Sequence, residues 1–224
     1  MPTQYINGNK LKTHIKNLIF PVRCPYCGNV ILSDEYACKN CIGQFPKSYY
    51  KKYAAGGYQC VSPFPYSGIF SRGVKNFKFN RKKNYAKQFA VVMCQCISKN
   101  YFDCSFDIVT CVPMHKKMIR KRGYNQAELL ARECSKILGV PYYDTLEKFK
   151  MNKPQHSVSA KERETNVKGV FRAIDKNCVA DKNILIIDDI ITTGSTLGEC
   201  AKILTKSGCK TICCAALCSV EIDC

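Results

Sequence analysis

Ile184-Leu-Ile-Ile-Asp-Asp-Ile-Ile-Thr-Thr-Gly-Ser-Thr196 is the stretch that decides the fold. Four branched apolar residues in succession predict a strand buried on both faces, Ile184–Asp188, with two carboxylates at its carboxyl end. A hydroxyl-rich loop then runs into a helix predicted over Ser195–Ser207, with Gly208 where a left-handed cap belongs, and Thr211–Leu217 reads as a last strand. Upstream the pattern alternates in the same way. Strands are expected at Tyr58–Val61 and Phe106–Val112, and helices at Asn84–Lys99, with Phe89, Val92, Met93 and Cys96 on one face, and at Tyr124–Leu138. Apolar strands separated by helices specify an α/β fold, a parallel sheet flanked by helices.

Ligands of such sheets bind at the carboxyl ends of the strands. In the 184–196 stretch the loop N–H groups and the helix N-terminus would hold a phosphate, with Thr192, Thr193, Ser195 and Thr196 adding hydroxyls and Gly194 letting the backbone approach. Asp188 and Asp189 would repel that phosphate. Their use must therefore lie elsewhere on the ligand, as acceptors for vicinal hydroxyls or as anchors for Mg2+ waters. A buried strand followed by a capped helix would explain the apolar residues but not two consecutive acids before the loop. No GxxxxGK[ST] occurs, which excludes a Walker A loop. The stretch resembles the PRPP-binding motif of type I phosphoribosyltransferases. That resemblance implies that the acidic pair reads the ribose 2′- and 3′-hydroxyls, that the loop cradles the 5′-phosphate, and that Mg2+ accompanies PRPP.

The chain has 224 residues, 35 Lys+Arg against 17 Asp+Glu, a net charge of +18, and 17 Cys. With 46% hydrophobic residues it has the composition of a folded protein. No apolar run approaches the roughly 18 residues of a membrane span, and no secretory signal is evident, so a reducing cytoplasm is expected. The charge is uneven: residues 1–57 carry +6, 58–105 +7, 106–183 +7 and 184–224 −2. Such an excess upstream of residue 184 marks either a polyanionic partner or a generally Lys-rich solvated surface.

Four cysteines have metal-ligand spacing. Cys24-Pro-Tyr-Cys27 and Cys38-Lys-Asn-Cys41 are two CxxC turns, with Gly28 at the first knuckle. Two such turns close a tetrahedral S4 site suited to structural zinc, with no open position for catalysis. Incidental or redox CxxC pairs are the alternative. The other thirteen cysteines read as small hydrophobes. The predicted organisation is a zinc unit and linker over residues 1–57, the linker lying at Lys47–Gly57, and an α/β domain over 58–224.

Two further stretches, Val112-Pro-Met-His-Lys-Lys-Met-Ile-Arg-Lys-Arg-Gly-Tyr-Asn-Gln-Ala-Glu-Leu-Leu-Ala131 and Gln155-His-Ser-Val-Ser-Ala-Lys-Glu-Arg-Glu-Thr-Asn-Val-Lys-Gly-Val-Phe171, resemble the ComF family, competence-associated phosphoribosyltransferase-like proteins of the ComFC type. The double CxxC and the Tyr66–Phe79 region fit as well. Residues 112–123 follow a strand end and are expected to form a loop in which one or two of Lys116, Lys117, Arg120, Lys121 and Arg122 meet pyrophosphate. His115 is either a phosphate donor or a plain loop residue. Residues 150–170 correspond to the mobile loop of phosphoribosyltransferases, with Arg163 and Lys161 as ligand contacts. Residues 71–87 hold seven cations, no acid and interleaved aromatics. Either Lys75, Lys78, Arg81, Lys82 and Lys83 track a single-stranded DNA backbone while Phe77 and Tyr85 stack on bases, or the stretch is a helix with Phe77 or Tyr85 facing the core and its lysines solvated.

The family's association with DNA uptake implies a cytoplasmic protein that binds single-stranded DNA and PRPP or a related phosphoribosyl ligand during natural transformation. Competence helicase or channel components are implied partners. The other reading is an active phosphoribosyltransferase for which the sequence shows no acceptor pocket and assigns no catalytic residue.

Overall fold

A computed structural model of the protein describes residues 21–79, 82–151 and 167–220. Its main sheet is ordered β1 (Tyr50–Ala54), β2 (Tyr58–Ser62), β8 (Thr211–Ser219), β7 (Asn183–Ile191) and β4 (Ile108–Cys111), and the short β3 (Phe64–Pro65) also pairs with β8. A separate antiparallel pair joins β5 (Leu146–Lys148) to β6 (Phe171–Ala173). The helices are α1 (Lys39–Ile42), α2 (Gly68–Phe79), α3 (Tyr85–Asn100), α4 (Lys116–Arg122), α5 (Gln126–Leu138) and α6 (Ser195–Lys206). The architecture is a mixed, mostly parallel sheet flanked by helices.

Strand β7 lies between β8 and β4 and runs parallel to both. Ile184, Leu185, Ile186 and Ile187 are all fully buried, each contributing about 1.5–3 kcal/mol of transfer free energy. The strand does not stop at Asp188 as expected. It continues to Ile191, because Ile190 and Ile191 pair with Cys218 and Ser219 of β8. The predicted face of α3 holds, with Phe89, Val92, Met93 and Cys96 all buried.

The expected linker is instead structured. Tyr50–Ala54 forms β1, antiparallel to β2, with Tyr50 and Lys52 half-buried and Lys51 and Tyr53 exposed, an alternation that suits a sheet edge. The Ala55–Gly57 turn packs against the start of α6, where Ala55 N–H donates to Gly194 O at 3.3 Å. A Cβ on Gly198 would stand 2.2 Å from Ala55 O, and one on Gly194 would stand 2.6 Å from Ala54 Cα. These neighbours are backbone and cannot swing aside. Gly198→Ala is therefore expected to cost about 1–3 kcal/mol by forcing the hairpin off the loop, read as a lowered denaturation midpoint.

Candidate functional site

Because β4, β7 and β8 are parallel, their carboxyl ends share one edge, with Cys111 in register with Ile187 and Ile187 with Ala215. Asp188 and Asp189 stand at that edge. Gly194, at φ +74°, turns the chain into α6. Ser195 is buried, and its hydroxyl lies 2.8 Å from that of Thr193, while Thr192 is exposed. Hydroxyls and the first N–H groups of a twelve-residue helix thus converge beside two carboxylates, a combination suited to a phosphate on one side and hydroxyls on the other.

Two lysines complete this site that sequence reasoning did not place there. Lys78, assigned to DNA, has its Nζ 3.0 Å from Asp189 Oδ2. It sits on the last turn of α2 beside the fully buried Phe77, and only tertiary packing brings it over the acidic pair. Lys148, on β5, is close enough for its charge to act on Asp188. Burial pushes the Lys148 ammonium down, against the attraction of Cys200 and Asp188. The part-exposed Asp188 carboxyl is pushed up to about 8 by burial and by the neighbouring Asp189 charge, although Asp189 N–H donates to it at 2.8 Å and Lys78 and Lys148 oppose the shift.

Residues 116–122 form a helix where a loop was expected. His115 caps it, its Nδ1 accepting from Lys117 N–H at 3.2 Å. With about 3.6 residues per turn the five cations are spread around a cylinder and cannot all meet one ligand. Arg122 donates to Gln126 Oε1 at 2.9 Å, whereas Lys116, Lys117, Arg120 and Lys121 are exposed. Lys161 and Arg163 lie outside the described residues, as does Arg81. Beside the β5–β6 pair, Phe149 N–H donates to Val170 O at 3.0 Å and Gly169 N–H to Glu199 Oε1 at 3.3 Å.

Phe77 and Tyr85 are 0% and 7% exposed, packed against Phe89, so their rings cannot serve as a stacking platform for bases. They fill the core side of two helices instead. Lys75, Lys82 and Lys83 remain exposed.

The four-cysteine spacing closes into a cluster. The Sγ atoms of Cys24, Cys27, Cys38 and Cys41 lie within 4.8 Å of one another, and those of Cys27 and Cys38 are 3.6 Å apart. A tetrahedral ion with sulfur ligands sets them about 3.8 Å apart. The first knuckle is closed by Gly28 N–H to Cys24 O at 2.9 Å, and the second by Cys41 and Ile42 N–H to Cys38 O at 3.0 Å. Burial pushes the Cys41 and Cys27 thiols up. Against its own desolvation, Cys38 is held below the usual range by the Cys41 N–H and by hydrogen bonds from the neighbouring thiols. Four thiols converging on one point fit a metal ion.

This unit is stapled to the sheet domain by Tyr26, 1% exposed, whose ring meets Phe45, Phe64, Phe70 and Phe89 at centroid distances of 5.3–5.7 Å. Elsewhere Cys60, Cys94, Cys96, Cys111, Cys134, Cys200, Cys214 and Cys218 are buried as packing residues, whereas Cys104, expected in the core, is exposed.

Residues 120–223 match the phosphoribosyl transferase domain family. The chain is 31% identical over 190 residues to Competence protein F of Haemophilus influenzae, covering 83% of this chain and 79% of that protein. It is 28% identical over 193 residues to DNA utilization protein YhgH of Salmonella typhimurium, covering 84% and 80%. It is also 31% identical over 147 residues to Competence protein ComFC of Bacillus subtilis, covering 66% and 58%. With the acidic pair and hydroxyl loop at the sheet edge and a four-cysteine cluster ahead of it, the chain belongs to the ComF family of competence-associated proteins, built on a type I phosphoribosyltransferase fold.

Proposed function

We propose that this protein acts in the cytoplasm during natural transformation, binding incoming single-stranded DNA and a PRPP-type ligand. The observation that carries the ligand reading is the position of Asp188 and Asp189 at the carboxyl edge of the parallel sheet, directly before the Thr192–Thr196 loop and α6. The carboxylates accept from the ribose hydroxyls, and the loop N–H and hydroxyl groups hold the 5′-phosphate. Asp188 and Asp189 would also help to hold a Mg2+ ion accompanying PRPP, which would supply neutralisation of the pyrophosphate charge. Zn2+ fills the Cys24, Cys27, Cys38 and Cys41 cluster in a structural role.

The relatives named for competence and DNA utilization, together with the +18 charge, support the DNA reading. Calorimetric titration with PRPP and Mg2+ should give saturable one-site binding. Oligonucleotide affinity should fall with salt by roughly 0.7 log units per log unit of salt for each phosphate contacted. Absence of PRPP binding at millimolar ligand, or of oligonucleotide binding at low salt, overturns the corresponding half. Release of pyrophosphate from PRPP across a panel of bases and amines would show transfer chemistry in place of binding alone.

A further inference from the structure

We infer that single-stranded nucleic acid lies along one face of the domain, with Phe79 as its stacking platform and the groove between α3 and α5 as its continuation. This placement rests on the DNA-binding reading above and replaces the buried Phe77 and Tyr85 as the aromatic contacts.

The last turn of α2 sends consecutive side chains in different directions. Lys78 enters the acidic pair, whereas Phe79 is 68% exposed. The exposed ring is not isolated, since the Arg122 guanidinium lies 5.6 Å from its centroid. The two basic stretches that the sequence keeps apart, 71–87 and 116–122, therefore meet at this ring. Next to them Lys83 Nζ sits 5.2 Å from the centroid of Tyr124. Tyr124 is buried, and its hydroxyl donates to Phe77 O, which ties the end of α2 to the α4–α5 junction and fixes Lys83 on this side.

Lys83 also lines a cavity of about 530 Å³ between α3 and α5, together with Lys87, Arg132, Lys136 and Tyr142. The Arg132 guanidinium lies 4.2 Å from the Tyr142 ring centroid. The acids near it are already engaged: Glu128 and Asp144 pair with Arg132, and Glu133 with Lys136. Lys82, Lys83, Lys87 and the cations of α4 make no ion pair among the described residues. The first turn of α3, which borders the same groove, holds no acid and no side-chain cap. Unpaired cations beside an exposed ring suit a partner that offers phosphates and unstacked bases together. A duplex conceals its base faces and a bilayer has none, so single strands are favoured.

Fluorescence anisotropy with an oligothymidylate tests this on the full chain. Phe79→Ala should weaken binding by about tenfold with the salt slope unchanged, and Phe79→Tyr should restore it. Lys83→Ala with Lys87→Ala should lower the slope by about one to two log units. Lys206→Ala with Lys210→Ala, at the opposite edge of the sheet, should change nothing. Retained PRPP binding and melting temperature verify folding of each variant. Wild-type binding that survives all the Phe79 and lysine substitutions overturns the placement while leaving the DNA reading intact. No wild-type binding to any oligonucleotide overturns the DNA reading and the placement with it. Equal affinity for the matching duplex, or for phosphatidylglycerol vesicles that displace the oligonucleotide, overturns the stacking mode.

Discussion

Cys41→Ser is expected to release one equivalent of zinc per chain and to unfold the unit that holds the cluster. The segment between Val22 and Phe45 has little apolar material of its own: Leu32 and Val30 face solvent at 67% and 59% exposure, and the inward residues are mainly Tyr26, Ile31, Ala37, Cys24 and Cys41. With zinc bound as proposed, its order would rest on the metal, which in small zinc units supplies roughly 10 kcal/mol or more of folding free energy. Loss of Cys41 leaves only the thiols of Cys24, Cys27 and Cys38 around the site, with the buried end of the cluster unfilled. The effect should reach beyond the cluster. Tyr26 fills the space among Phe64, Phe70 and Phe89, which belong to β3, α2 and α3, and Gly73 of α2 approaches Pro25 O so closely that a Cβ there would stand 3.1 Å away. Unfolding the knuckles withdraws that ring and loosens the helix that carries Lys78 and Phe79. Elemental analysis, limited proteolysis and the melting temperature report the outcome. A variant that keeps its metal, protease resistance and melting temperature would show that the cysteines are not ligands.

Local residue order carried the central strand and the cysteine cluster, because both depend on short-range patterns. Ile184–Ile187 can be buried only as a strand covered on both faces, and two CxxC turns specify their own convergence. The misread elements depended on partners far along the chain. Residues 50–54 look like a polar linker, since Tyr-Lys-Lys-Tyr-Ala has a lysine on each face of the strand and so no continuous apolar face, and only the pairing with 58–62 reveals it. Residues 116–122 contain five cations and just two apolar residues, too few for a helical stripe, so the helix depends on the His115 cap and its position after β4. Within 71–87 composition marked a basic aromatic segment but could not sort its side chains. Helical geometry sent Phe77 inward, Phe79 outward and Lys78 to Asp189, 111 positions away in sequence. A charge assigned to DNA thus stands paired with the acidic couple at the sheet edge.

Replacing Asp188 and Asp189 together by Ala is expected to weaken phosphoribosyl-ligand binding by at least about 100-fold, since each carboxylate accepting from a hydroxyl is worth about 1.5–3 kcal/mol. Asp188 adds a pH signature that separates it from its neighbour. Its carboxyl titrates near 8 in the free protein, raised by burial and by the adjacent Asp189 charge, so at neutral pH most molecules hold it protonated. A ligand that prefers the carboxylate must displace that proton. Affinity should therefore rise by up to about tenfold per pH unit toward pH 8 and then level off. Asp188→Asn should bind at the weak end of that range with a flattened profile. The stability effect has the opposite sign. The unfolded chain loses this proton in the ordinary carboxylate range while the folded protein keeps it to about pH 8, so raising the pH between those values favours unfolding. Wild type should thus lose stability relative to Asp188→Asn as pH rises from 4 to 8, with the variant melting higher at pH 8. A variant that bound better and melted lower there would assign Asp188 a structural role. The expected combination, tighter binding bought with a less stable free site, is that of a partly buried carboxyl group poised to ionise for a ligand.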